Sequence, residues 1–121
     1  MGETYIYNFE KLEIWKLAID LSVNIYKTTE SFPSEERYGL TSQLKRASSS
    51  ISANIAEGLS RGGKDKARFI QISFGSSIEV LNHLILSNKI GYITDETLEN
   101  YRKTILELTN KLNSFHKQID K

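Results

Sequence analysis

Toward the C-terminal end of the chain, apolar residues recur in alternating steps of three and four: Leu98, Tyr101, Ile105, Leu108, Leu112, Phe115 and Ile119. That spacing holds one narrow apolar seam along one side of a helix over 94–119, and such a seam must be buried against other helices. Two apolar rows predict a first helix over 9–30: Leu12, Trp15, Ile19 and Tyr26 on one side, and Ile14, Leu17, Leu21 and Ile25 on the other. Leu40, Leu44, Ala47, Ile51 and Ile55 give the helical period over 35–58. A third helix over 64–90 is broader. Its Phe69, Ile70, Phe74, Ile78, Val80, Leu81, Leu84 and Ile85 spread over about half the circumference, whereas the stripe of a surface helix is nearer 100°.

The punctuation agrees with these four segments. Asn8 is a candidate N-cap for the first helix, Ser34 for the second and Thr94 for the fourth, each followed by acidic residues that suit the positive end of a helix. Pro33 breaks the chain after the first helix and restrains Phe32. Gly58, Gly62 and Gly63 end the second helix, and Gly91 ends the third. Long helices with short joints predict an all-α fold, an antiparallel up-down-up-down four-helix bundle occupying 1–121 as one domain. The small residues from Ala47 to Ala56 on the second helix allow a neighbour to approach closely. Excess apolar width on the first and third helices predicts a second covered face, a contact between subunits. The competing reading is a third helix that is merely central in its own bundle.

Composition narrows the function classes. Charged residues make up 26% and hydrophobic ones 39% of the 121 residues, which is the balance of a soluble globular protein. With no cysteine there is no disulfide, thiolate metal site or cysteine nucleophile. No unbroken apolar run approaches the roughly 18 residues of a bilayer span. The polar start Gly2-Glu3-Thr4 does not read as a signal peptide. The expected location is the cytoplasm, with no membrane partner.

Catalytic patterns are missing. A di-iron bundle needs Glu-x-x-His pairs, but Asn82 stands three residues after Glu79 and Asn113 three before His116. Glu79 and His83 are spaced for a local helix contact. Gly62-Gly63-Lys64 precedes a helix but lacks the strand and the following hydroxyl of a phosphate loop. No enzymatic activity, cofactor or metal is expected. Gln43, Asn54, Glu57, Ser73, Ser76 and Glu79 fall at inward positions, where a hydrogen-bonded network that sets helix register is the simpler role.

Net charge is only +1, yet Lys45, Arg46, Arg61, Lys64, Lys66 and Arg68 cluster between positions 45 and 68 against Glu57 and Asp65 alone. These six residues are the candidate nucleic-acid-binding set. Lys45 and Arg46 stand about four turns before the others, so the set predicts a stripe rather than a spot. A solvated loop and helix end would show the same charges without binding anything.

Several motifs carry a resemblance over nearly the whole chain. Ile51-Ser52-Ala53-Asn54-Ile55-Ala56-Glu57-Gly58 resembles the Ser-Ile-Pro-Ser-Asn-Ile-Ala-Glu-Gly signature of the four-helix bundle proteins encoded in 23S rRNA intervening sequences. Leu12-Glu13-Ile14-Trp15 resembles that family's Leu-x-Val-Trp opening, and Phe32-Pro33-Ser34-Glu35-Glu36-Arg37-Tyr38-Gly39-Leu40 its Phe-Pro-x-x-Glu-x-Tyr-Gly-Leu joint. Gln43-Leu44-Lys45-Arg46-Ala47, Gly75-Ser76-Ser77-Ile78-Glu79-Val80 and Gly91-Tyr92-Ile93 resemble further pieces in the same order. Ser52 stands where the family often has proline, and Lys45 where arginine is more usual, which keeps the charge but loses the bidentate fork.

The resemblance implies a bacterial cytoplasmic protein and a homopentamer around a central channel. It also implies similarity to the accessory protein of diversity-generating retroelements, a pentameric bundle that binds nucleic acid and a reverse transcriptase. On that footing the expected function is non-enzymatic, oligomeric nucleic-acid binding, with RNA or DNA on the six basic residues. The alternative is a pentameric scaffold or accessory subunit that holds another protein and touches no nucleic acid.

Overall fold

The computed structural model describes residues 2–119, so the expected span of 1–121 extends past the described residues at both ends. Four α-helices follow one another: α1 (Glu13–Thr29), α2 (Leu40–Leu59), α3 (Gly63–Ile90) and α4 (Asp95–Ile119), with 3-10 turns at Asn8–Lys11 and Ser34–Glu36. No strand occurs among the described residues. Each helix packs against its sequence neighbours and α1 closes the ring against α4; α2 and α3 share the most extensive pairing and α1 and α4 the thinnest. Glu13 at the start of α1 meets Lys111 near the end of α4 at 2.6 Å, as the antiparallel order requires. The fold is the up-down-up-down bundle.

Ile14, Ala18, Leu21 and Ile25 from α1 meet Leu44, Ile51 and Ile55 from α2, Ile70, Val80 and Leu84 from α3, and Ile105, Leu108 and Leu112 from α4 in one core. The C-terminal seam is buried from Leu98 through Leu112, while Phe115 and Ile119 pack on its edge. On α1 the row led by Ile14 is the buried one; Tyr26, at the end of the other row, is exposed.

Two expected caps are replaced. Asn8 opens a 3-10 turn rather than α1, because Tyr7 N–H donates to Glu10 Oε2 at 2.8 Å and Leu12 is extended before α1 begins. Ser34 likewise opens a 3-10 turn, and the first amide of α2, Leu40 N–H, donates to Glu36 Oε1 at 3.1 Å. Thr94 does cap α4: its Oγ1 accepts from Thr97 N–H at 3.1 Å. Gly91 stops α3 at φ +102°, with Tyr92 N–H turning back to Ser87 O at 2.8 Å.

The α2–α3 seam is made of small and hydroxylated residues. Ser73 is fully buried and donates from Oγ to the Ile51 carbonyl at 2.8 Å, and Ser50 and Ser76 pair across the seam at 3.0 Å. Of the polar residues expected inside, Ser73 and Ser76 are buried and Asn54 and Glu79 are half-buried, but Gln43 and Glu57 are exposed. Both lie on the outer side of α2, away from its Leu44–Ile51–Ile55 line. The interspersed serines also mask the apolar character of α3. By length and composition alone this helix is long and apolar enough to cross a membrane, and 28% of its most apolar stretch is buried in the chain.

Candidate nucleic-acid interface

The three-residue joint over 60–62 brings the end of α2 against the start of α3. Gly58 permits the approach: a Cβ there would stand 3.1 Å from Phe69 Cβ and 3.4 Å from the Lys66 carbonyl. Arg61, Lys64 and Arg68 are exposed around this joint, and Lys66 is half-buried. Lys64 and Arg68 are one helical turn apart and share a face of α3. Four of the six sequence-predicted basic residues therefore gather at one end of the bundle.

The other two part company. Arg46 is exposed on the outer face of α2, ~20 Å along the axis from Arg61. Lys45 is on the side toward α1, its ammonium 4.8 Å from the centroid of the Tyr26 ring. Its charge is engaged by a ring face rather than standing clear in solvent. Arg46 thus stands alone on the outer side of α2, with no other basic residue between it and the joint.

Acids temper the charge locally. Glu57 Oε2 lies 3.5 Å from Arg61 Nε and also accepts from Ser60 Oγ at 3.1 Å. Both partners of the Glu57–Arg61 pair are about half-exposed, so solvent screens it and phosphate can compete for the guanidinium. Arg61 further lies 5.5 Å from the Phe69 centroid, which fixes its stem over the joint.

An aromatic arm beside α2 is absent from the sequence-based expectation. Tyr5, Tyr7 and Phe9 alternate along the N-terminal segment, which lies against Ala53, Ala56 and Ser60 of α2 and encloses a cleft of about 470 Å³. The i, i+2 spacing of three rings before a helix was the available signal.

Elsewhere the chemistry is sparse. His83 Nε2 and Glu79 Oε2 lie 3.3 Å apart, and His83 Nδ1 is buried without a hydrogen-bond partner. Among the described residues no group of three or more His, Cys, Asp or Glu side chains is placed to hold a metal ion.

The fold is that of a four-helix bundle with a basic joint at the α2–α3 end. The chain belongs to the 23S rRNA-intervening sequence protein family, whose model matches residues 10–114. It is also similar in fold to a crystal structure of a protein of unknown function from the S23 ribosomal protein family of Bacteroides thetaiotaomicron. That match has a TM-score of 0.79 and 24% identity, and covers 86% of this chain and 95% of the other. A comparison with curated proteins gave no match.

Proposed function

We propose that the protein is a non-enzymatic, oligomeric nucleic-acid-binding bundle, with RNA as its ligand and no cofactor. The observation that supports this reading best is the gathering of Arg61, Lys64, Lys66 and Arg68 at one joint, with Arg46 farther along α2, in a chain of net charge +1. Phosphates neutralised by such residues give affinity that is independent of sequence and falls with salt. Lys45, committed to Tyr26, contributes least. Family membership points the same way, toward an rRNA context.

Exposed apolar side chains support assembly, as the homopentamer implied by the resemblance would require. Ile72, Ile78, Leu86 and Ile90 on α3 and Val23 and Tyr26 on α1 are all exposed in the single chain. A ring of copies would repeat the basic joint, and each weak site would gain from multivalency.

The test is RNA binding across a salt series, with mass measured by light scattering in the same buffer. Substituting Arg46, Arg61 and Lys64 by alanine should weaken binding and lower the slope of log affinity on log salt by about 2. An unchanged affinity and slope would defeat the reading. The same exposed apolar faces favour a second reading, a scaffold that binds another protein; a pull-down that recovers RNA and no stoichiometric protein would count against it.

A further inference from the structure

Large aromatic rings are usually sheltered, yet Tyr5 and Tyr7 are 72% and 60% exposed. They are not isolated. Tyr5 meets Tyr7 edge-on at 4.8 Å between centroids, Tyr7 lies 6.1 Å from Phe9, and Phe9 lies 5.2 Å from Trp15 at the start of α1. The inner end of this chain of rings is seated on the bundle, and the Tyr7–Glu10 hydrogen bond pins the arm at its base. The outer end presents ring surface to solvent.

Beneath the arm the outer face of α2 shrinks to Ala53 and Ala56, leaving the 470 Å³ cleft, a volume within the roughly 300–1,000 Å³ of small-molecule sites. Arg46 precedes Ala53 by two helical turns on the same face, ~10 Å away along the axis, and Arg61 directly follows Ser60 at the other end of the cleft. Glu57, the acid in the lining, is already engaged by Arg61 and Ser60. A cleft lined by exposed rings, with Arg46 about 10 Å beyond one end and Arg61 next in the chain to Ser60 at the other, matches one ligand chemistry: flat apolar faces joined by an anionic backbone.

We propose that this cleft is the base-stacking part of the interface, and that the ligand is an unpaired RNA strand with bases on Tyr5 and Tyr7 and phosphates on Arg46 and Arg61. The inference rests on the nucleic-acid reading above and specifies it. A duplex hides its base faces in its own stack, whereas a single strand can lay them on aromatic rings without regard to sequence. Electrostatics alone, through the basic joint, would not distinguish the two.

The experiment uses the full chain, a fluorescently labelled oligoadenylate and an RNA duplex of equal phosphate count, titrated by anisotropy at low salt. The strand is expected to bind more tightly than the duplex. The double variant Tyr5→Leu/Tyr7→Leu should lose about tenfold or more in strand affinity, with duplex affinity and the salt slope unchanged. Tyr5→Phe/Tyr7→Phe keeps both rings and should retain strand affinity. Preference for the duplex, or strand binding by the leucine variant equal to the parent's, overturns the stacking proposal while leaving the basic joint standing. A drop in assembled mass for the leucine variant also overturns it, because the arm is then a contact between copies. Failure of the parent to bind either RNA removes the nucleic-acid reading and the stacking proposal with it.

Discussion

The Tyr92 hydroxyl donates a 2.9 Å hydrogen bond to Glu36 Oε2, while the other oxygen of the same carboxylate accepts Leu40 N–H at 3.1 Å. One side chain thereby caps α2 and ties it to the α3–α4 joint. Phe32 packs against the Tyr92 ring at 5.2 Å, and Gly39 leaves the space, since a Cβ there would stand 2.8 Å from Glu36 Oε1. The Phe-Pro-x-x-Glu-x-Tyr-Gly-Leu joint and the Gly-Tyr element, far apart in the chain, are two halves of one clasp.

Loss of the clasp should be measurable. Tyr92→Phe keeps the ring and removes the donor, and is expected to lower Tm by about 3–5 °C at neutral pH. The hydrogen bond to Glu36, assisted by burial, raises the Tyr92 pKa above the usual phenolic value. A raised folded pKa contributes stability that is fully present below the unfolded value, about 10, and is lost as pH rises through the folded one. The Tm gap between parent and variant should therefore be constant at neutral pH and close in strong alkali. A gap that persists unchanged there would mean that the hydroxyl contributes by packing alone.

A second pair, Glu13–Lys111, bridges the thinnest seam of the bundle. The hydrogen bond from Lys111 holds the Glu13 carboxyl below its usual range, and the same bond raises Lys111. For Glu13 the sign is the reverse of tyrosine: its stabilisation is present above about 4.3 and disappears as pH falls through the lowered value. For Lys111 it is present below about 10.4 and is lost as pH rises past the raised value. Because the pair is solvent-exposed, Glu13→Gln should lower Tm only slightly, within that window, and less at high salt. Thermal scans at low and high ionic strength decide it.

The α2–α3 seam should respond to volume more than to propensity. Gly58→Ala improves local helix propensity, but its Cβ would press on Phe69 Cβ, an atom fixed to the backbone. The expected outcome is a net loss of about 1 kcal/mol in denaturant unfolding. Ser73→Ala removes the buried bond to the Ile51 carbonyl and should cost about 1 kcal/mol. A stabilised Gly58→Ala variant would show that the two helices can move apart freely.

Periodicity made the helices legible because side-chain spacing alone determines which face is apolar. The seam from Leu98 to Leu112 reads directly off the chain, and Thr94 and Gly91 mark their helix ends by local chemistry. The missed starts of α1 and α2 have a common cause. Glu10 accepts Tyr7 N–H within the 3-10 turn before α1 and Glu36 accepts Leu40 N–H at the start of α2, so each glutamate takes an amide in place of the residue two positions earlier that looks like a cap, Asn8 or Ser34. The basic residues were legible by type but not by company. Lys45 turning onto Tyr26, and the aromatic arm lying over Ala53, are tertiary relationships that no local spacing encodes.

Assembly gives the last prediction. Ile78 and Leu106 are 47% and 61% exposed and flank a groove of about 380 Å³ between α3 and α4 that also includes Leu81 and Arg102. In a lone chain, replacing two exposed side chains changes stability by only about 0.5 kcal/mol each. Across a subunit contact, two carboxylates would be desolvated with only Arg102 of the groove at hand to pair with them, and the contact would be strongly weakened. Ile78→Asp/Leu106→Asp is therefore expected to keep its helical content while its mass in light scattering falls toward the 13.8 kDa of one chain. RNA affinity should fall with the mass, since a single copy loses the repeated basic joint. If the variant keeps the parent's mass, the groove is not a contact between copies, and a parent that itself has the mass of one chain overturns the assembly reading.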